Sequence, residues 1–296
     1  QNRSFQDYLL LKEINYYEIN KNTKKIIKNG IYIYGNHGIG KSMFIDGLLN
    51  ELDYNVIKLC YDDLSSKNKI INWEKVFSYS NNFQNNSPCK WEFIEEFFDK
   101  EFYEKLYETF PKDDDTWERV STWDKNSLRK LWSDDTDESS ISDIFDHNLS
   151  ESWNEFHHYL FSDEFIQNIQ KFSSVPVGRL KHFSMKISRK GDYQLPHIHN
   201  VGPSTLIFMI YFTKNWKKGD PGGTYITPEE DESKIIFEAD NLDNTAIVFQ
   251  DGPHSGHGVR PLKEGVERHA IQIYLEGWSD ETGWSCTPIV RELKEI

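Results

Sequence analysis

Between residues 183 and 275 the chain is a series of short extended runs separated by Gly, Pro, Asn and Asp, and no helical periodicity interrupts it. Residues 183–199 give an alternating run, a Lys190-Gly191-Asp192 turn, and a second extended piece that ends in Pro196-His197-Ile198-His199. Residues 206–212 are apolar throughout, as in a buried strand, and a Gly222-Gly223 turn leads into the extended stretch 224–227. Residues 246–249 form another strand, running into a loop that carries His254 and His257, and residues 270–275 alternate again. Short strands at this spacing predict an antiparallel barrel or jelly roll, with the two histidine clusters meeting at its mouth.

Those histidines define a chemistry. His197 and His199 lie two residues apart, His257 sits in Ser-Gly-His-Gly-Val, and Arg268 follows eleven residues later. Imidazoles are the commonest protein metal ligands and a guanidinium fork matches a carboxylate, so the set points to a metal that also holds a small diacid.

On these residues the chain resembles the iron(II)- and 2-oxoglutarate-dependent oxygenases, in their prolyl-hydroxylase-like branch. The matching pieces are Lys190-Gly191-Asp192, Pro196-His197, Ile210-Tyr211-Phe212, Trp216, Gly222-Gly223, Ala246-Ile247-Val248-Phe249, Gly256-His257-Gly258-Val259 and Arg268. A looser resemblance extends upstream through Phe97-Phe98-Asp99-Lys100-Glu101-Phe102-Tyr103, which looks like the opening helix of such a domain. The resemblance implies an α+β domain over residues 89–296, a double-stranded β-helix (jelly roll) with flanking helices. It also implies Fe(2+) held by His197 and His257, 2-oxoglutarate anchored through its remote carboxylate on Arg268, dioxygen as cosubstrate, and hydroxylation of a small molecule or peptide. Ser188, Lys186 and Tyr211 lie on strands that line the cosubstrate pocket in this arrangement.

One position departs from the family pattern. Its His-X-Asp is here His-X-His, with His199 at the carboxylate position. Four readings are open: His199 ligates the metal through a neutral nitrogen, it turns away and leaves water there, the barrel has lost turnover, or His199 is a surface residue. We expect ligation, because His199 stands where a facial triad needs its third donor. His254 is expected to be a loop residue near the site, and His269 to face away from Arg268 across the strand. His147, His157, His158 and His182 are expected to be structural.

A second motif lies in residues 1–88. Residues 31–34 read as a strand, and Gly35-Asn36-His37-Gly38-Ile39-Gly40-Lys41-Ser42 fits the P-loop pattern, followed by a helix-like stretch. Gly35, Gly38 and Gly40 would let backbone amides cradle phosphates, with Lys41 on their charge and Ser42 on magnesium, which implies ATP or GTP with Mg(2+). A further strand is expected at residues 54–60, yet no later strand ending in aspartate completes a nucleotide hydrolase. The alternative function is therefore a P-loop kinase or NTPase whose jelly roll is a non-catalytic binding module.

The Asn-rich stretch at residues 81–88 is the expected linker, and residues 91–171 are expected to be mostly helical. Phe93, Phe97, Phe98, Phe102 and Leu106 recur at helical spacing there, as do Trp153, Phe156, Leu160, Phe165 and Ile169. The loop bearing Trp117, Trp123 and Trp132 is expected to reach over the barrel mouth. A net charge of -14 argues against generic binding to a nucleic-acid backbone, which needs a basic surface. The three cysteines, Cys60, Cys89 and Cys286, lack metal or redox spacing, and neither a membrane-spanning run nor a signal-peptide pattern occurs, so a soluble cytoplasmic protein is expected.

Overall fold

A computed structural model describes residues 10–14, 18–19, 26–27, 30–34, 69–132, 141–199, 201–265, 267–280 and 283–284. The chain divides into two compact units between Ser66 and Lys67. In the first, β1 (Leu10–Ile14) pairs antiparallel with β4 (Gly30–Tyr34), and β2 (Glu18–Ile19) with β3 (Ile26–Ile27). The P-loop residues Gly35, Gly38, Gly40, Lys41 and Ser42, and the strand expected at 54–60, lie outside the described residues.

The second unit begins with two short helices, α1 (Trp73–Ser78) and α2 (Ser80–Asn85), then β5 (Trp91–Glu95) and α3 (Lys100–Glu108). A hairpin of β6 (Glu118–Ser121) and β7 (Lys125–Leu131) follows, then α4 (Glu151–Tyr159) and α5 (Asp163–Ser173). The remaining strands are β8 (Arg179–Ser188), β9 (Tyr193–His197), β10 (Thr205–Phe212), β11 (Thr224–Thr227), β12 (Phe237–Glu238), β13 (Asp243–Gln250), β14 (Gly256–Val259) and β15 (Arg268–Glu276). A small hairpin of β16 (Trp278–Ser279) and β17 (Gly283–Trp284) closes the described chain. Among the described residues no helix is long and apolar enough to cross a membrane.

Eleven strands make one curled sheet in the order β12-β11-β14-β9-β7-β8-β15-β10-β13-β5, with β6 also on β7. Strand β10 lies between β15 and β13, and its eight residues are all buried because both of its faces are covered. Leu206, Phe208, Ile210 and Phe212 join the core shared with the helices. Ile207, Met209 and Tyr211 point into the barrel, against Ile226 of β11 and Ile247 and Phe249 of β13. Two covered faces explain why this strand reads as an unbroken apolar run, and contact between β10 and β11, distant in strand order, shows the sheet folding over itself.

The helices brace the outer face. Ser150 Oγ accepts the Trp153 N–H at 3.3 Å to cap α4, and Ser162 Oγ accepts that of Phe165 at 3.1 Å to cap α5. Along α5 the stripe Phe165, Ile169 and Phe172 is buried, and Ser174, at φ 54°, ends the helix.

The expected helical span of residues 91–171 is corrected in two places. Residues 91–95 form an edge strand on β13, with Ile94 buried on the helix side and Phe93 packed on the barrel side, and α3 begins only after Asp99 supplies its cap. Between them Asn244 accepts the Phe98 N–H at 2.9 Å and donates to its carbonyl at 3.1 Å, which fixes the corner. The second correction is the β6–β7 hairpin, which replaces the expected Trp-bearing loop: Trp117 and Trp132 are buried in the core, and Trp123 at its turn is 84 % exposed. The Asn-rich segment also differs from the expected linker. Phe83 anchors it as helix α2, fully buried with its ring 4.9 Å from that of Phe172.

Candidate metal centre

Pairing of β9 with β14 brings the histidines together through strand register. His257 of β14 lies directly across from His197 at the end of β9, and the chain leaving β9 carries His199 back over the same point. The ring centroids are 4.2 Å apart for His197 and His257, 4.9 Å for His197 and His199, and 4.8 Å for His199 and His257. One ring nitrogen from each falls within 4.8 Å of the others.

Backbone carbonyls set which nitrogen is available. His257 Nδ1 donates to the Ser255 carbonyl at 2.9 Å and His197 Nδ1 to that of Leu195 at 3.1 Å, which leaves both Nε2 atoms as lone-pair donors. His257 Nε2 is buried with no hydrogen-bond partner, a costly state for a polar atom unless something else fills its lone pair. His197 Nε2 faces His199 Nε2 at 2.9 Å and Gln194 Nε2 at 3.2 Å. Burial pushes all three imidazoles below their ordinary range, with His197 adding to the shift at the other two. His199 is pushed down to about 3. Neutral imidazole is the ligating form, so the environment prepares these side chains to bind a cation.

Local sequence explains the placement. A Cβ on Gly258 would come within 2.3 Å of Tyr225 Oη and 2.6 Å of the Gln194 carbonyl, and one on Gly256 within 2.3 Å of the Glu229 carbonyl. The glycines flanking His257 therefore allow β14 to press against β9 and β11. Glu230 accepts the Ile198 N–H at 3.0 Å, holding the step between His197 and His199, and the His199 ring lies 5.3 Å from that of Tyr274.

Arg268 opens β15 and is 2 % exposed. Its Nη2 donates to Thr224 Oγ1 at 3.2 Å, its guanidinium lies 5.1 Å from the Tyr211 ring centroid, and its Nε has no partner. Tyr211 Oη in turn accepts the Thr224 N–H at 3.1 Å, so the tyrosine and threonine form one support for the arginine. A cleft of about 500 Å³ is lined by His197, His199, Lys186, Ser188 and Arg268, and a smaller void of about 30 Å³ shares Lys186 and Arg268 and reaches His257 and Thr224. Arg268 thus lines one cavity with His197 and His199 and the other with His257.

Of the other histidines, His254 is exposed on the turn before β14 and outside the cluster. His269 stacks on Phe110 with centroids 4.6 Å apart, on the face of β15 opposite Arg268. His157 stacks on Trp132 at 3.8 Å, and His182 is buried, its Nε2 2.9 Å from Ser184 Oγ. Sequence reasoning missed Gln194, Gln272, Tyr274 and Lys125 as cleft residues. Alternation along β15 from Arg268 would have found Gln272 and Tyr274; for Lys125 there was no signal.

In fold the curled sheet is similar to solved jelly-roll oxygenases. A prolyl-4-hydroxylase from Pseudomonas putida superposes with a TM-score of 0.51 at 11% identity, covering 69% of this chain and 100% of the other. A 2OG-Fe(II) oxygenase family oxidoreductase from Burkholderia pseudomallei matches with a TM-score of 0.47 at 12% identity, over 69% of this chain and 91% of its own. A prolyl hydroxylase from Trichoplax adhaerens, solved with a hypoxia inducible factor peptide fragment, matches with a TM-score of 0.45 at 13% identity, over 69% and 88%. No family model and no curated protein matches the chain.

Proposed function

We propose that this chain is an iron(II)- and 2-oxoglutarate-dependent oxygenase that hydroxylates its substrate, with His197, His199 and His257 as metal ligands and Arg268 as the anchor for the cosubstrate's far carboxylate. The observation that carries the reading is the convergence of three neutral imidazoles, one with a buried and unpartnered Nε2, on the space into which a buried arginine also faces. That donor set suits iron(II), which His197, His199 and His257 would hold through imidazole nitrogen while Arg268 would take the far carboxylate of the diacid.

Iron(II) with 2-oxoglutarate supplies, when bound, oxidative decarboxylation to succinate coupled to oxidation of an unactivated C–H bond. The chain's own residues prepare that site. The Ser255 and Leu195 carbonyls hold His257 and His197 in the tautomer with Nε2 free. Thr224 and Tyr211 hold the guanidinium of Arg268 so that its remaining N–H groups face the small void, where a carboxylate would take them as a charge-assisted pair. Ile207, Met209 and Val259 wall that void and exclude water from the diacid. With histidine at position 199, the ligand set is uncharged, one negative charge fewer than a His-X-Asp site.

The test is succinate production. Purified chain reconstituted anaerobically with iron(II) and then given 2-oxoglutarate and oxygen should form succinate, and His257→Ala should not. Iron-independent decarboxylation, or none in a chain shown to bind iron, would contradict the proposal.

A further inference from the structure

The mouth of the cleft has a charge character opposite to that of the molecule. The chain carries a net charge of -14, yet the cleft beside the histidines is lined by Lys125, Lys181, Lys186 and Arg268 against the single carboxylate of Asp124. Among the described residues the Nζ of none of the three lysines makes a hydrogen bond or ion pair with another side chain, whereas Lys190, Lys214, Lys218, Lys234 and Lys263 elsewhere in the unit each have an acidic partner.

Strand geometry delivers these cations. Lys125 is the first residue of β7, across from Gln194 of β9, and so stands three residues in register from the first ligand. Lys181 occupies a β-bulge: His182 faces Tyr274 and Leu180 faces Leu275, so Lys181 has no residue opposite it, and its side chain lines the cleft next to that of His182. Bulges recur beside active sites because they re-aim one side chain without breaking the sheet. Lys186 lies deeper, directly across from Arg129, whose guanidinium pairs with Glu118 at 2.7 Å and so leaves Lys186 facing the cleft without a carboxylate of its own.

The proposed cofactors do not use up this charge. Iron(II) and the two carboxylates of 2-oxoglutarate cancel, because the three imidazoles add none, and Arg268 meets the far carboxylate. The lysines remain. We propose, resting on the oxygenase reading above, that the primary substrate is an anion bearing a phosphate or carboxylate group, held at the cleft mouth by Lys125 and Lys181. The exposed indole of Trp123, two residues from Lys125 at the hairpin turn, offers an apolar surface for the rest of the substrate. Burial and the neighbouring Arg129, Lys125 and Arg268 push the Lys186 ammonium down to about 7, as expected of a cavity already crowded with positive charge.

The experiment is calorimetric titration of inorganic phosphate, and separately of acetate, into the full chain, both metal-free and loaded with zinc(II) and saturating 2-oxoglutarate. At least one anion should bind saturably in both states. Lys125→Met/Lys181→Met should weaken it at least tenfold while 2-oxoglutarate affinity stays within twofold of the parent. Phosphate binding alone points to a phosphate ester, and acetate binding alone to a carboxylate. Absence of saturable binding of either anion, or equal affinity in the double variant, would overturn the proposal. The oxygenase reading fails separately, if 2-oxoglutarate affinity is the same with and without metal, a result that leaves the metal-free anion titration standing.

Discussion

Asp251 binds the backbone N–H of Val201 at 2.6 Å, and through that contact the turn that delivers His257 also holds the segment that delivers His199. The same carboxylate accepts the Gly202 N–H at 3.2 Å, and its other oxygen takes the Ser255 hydroxyl at 3.4 Å, whose residue's carbonyl orients His257. Asp251 is 2 % exposed, while the Val201 and Gly202 residues it holds are half-buried.

Asp251→Ala should therefore cost about 1.5–3 kcal/mol of stability, the loss of hydrogen bonds to a charged acceptor, and should weaken metal binding without removing any ligand. Urea unfolding together with iron(II) titration checks both. Equal metal affinity in a folded variant would show that His199 is placed by other contacts.

His197→Ala and His257→Ala should each abolish iron binding or reduce it strongly, since each removes one of three protein donors. Iron content after anaerobic reconstitution and desalting is the measurement, and unchanged occupancy in either variant contradicts the ligand assignment.

Arg268→Ala should spare iron and weaken 2-oxoglutarate about tenfold or more, the loss of a charge-assisted pair. Titration of 2-oxoglutarate into the metal-loaded variant reads this directly. Affinity equal to the parent's would transfer the anchoring role to Lys186, the other cation on the small void.

Strands β8 to β11, β13 and β15 are legible in the sequence because turn residues bound them and most carry alternation or an apolar run, whereas β12 is too short to read and β14, Gly-His-Gly-Val, reads as a loop and becomes a strand only by pairing with β9 and β11. The meeting of the His197-His199 pair with His257 is legible because turn spacing places both histidine clusters at one end of the barrel. Strand β5 is not, since Phe93, Phe97 and Phe98 suit a helical stripe as well as an edge strand, and only pairing with β13 decides between them. The β6–β7 hairpin is hidden for a different reason. Its strands read Glu-Arg-Val-Ser and Lys-Asn-Ser-Leu-Arg-Lys-Leu, too polar for a sheet core, and the start of β7, Lys125 to Ser127, lines the cleft. The bulge at Lys181 and the double role of Asp251 depend on long-range contacts that no local pattern records.

Stability should fall as the solution is acidified below the ordinary histidine range. His157 is buried against Trp132, and burial, opposed by Asp143 and reinforced by His158, pushes its pKa down to about 3. An unfolded histidine titrates near 6.5, so the unfolded chain takes up the proton first. The contribution of a neutral His157 is complete above about pH 6.5 and declines toward pH 3, by up to about 1.4 kcal/mol per pH unit. His157→Phe should make the dependence shallower between pH 6.5 and 5, as read from urea midpoints; an unchanged slope would place the uptake on other groups, such as His182, pushed down to about 3 as well.

His199 is where the account departs furthest from the familiar ligand pattern. His199→Asp should keep iron bound, and more tightly than the parent at the same pH, because an anionic donor replaces a neutral one; His199→Ala should open a position and weaken the metal. The most direct measurement is a crystal structure of the iron(II)-loaded chain with anomalous data at the iron edge. The account predicts one iron peak with a ring nitrogen of each of His197, His199 and His257 at about 2.0–2.2 Å, the usual metal–imidazole distance. Iron bound elsewhere, or bound here with His199 turned into solvent, would contradict it.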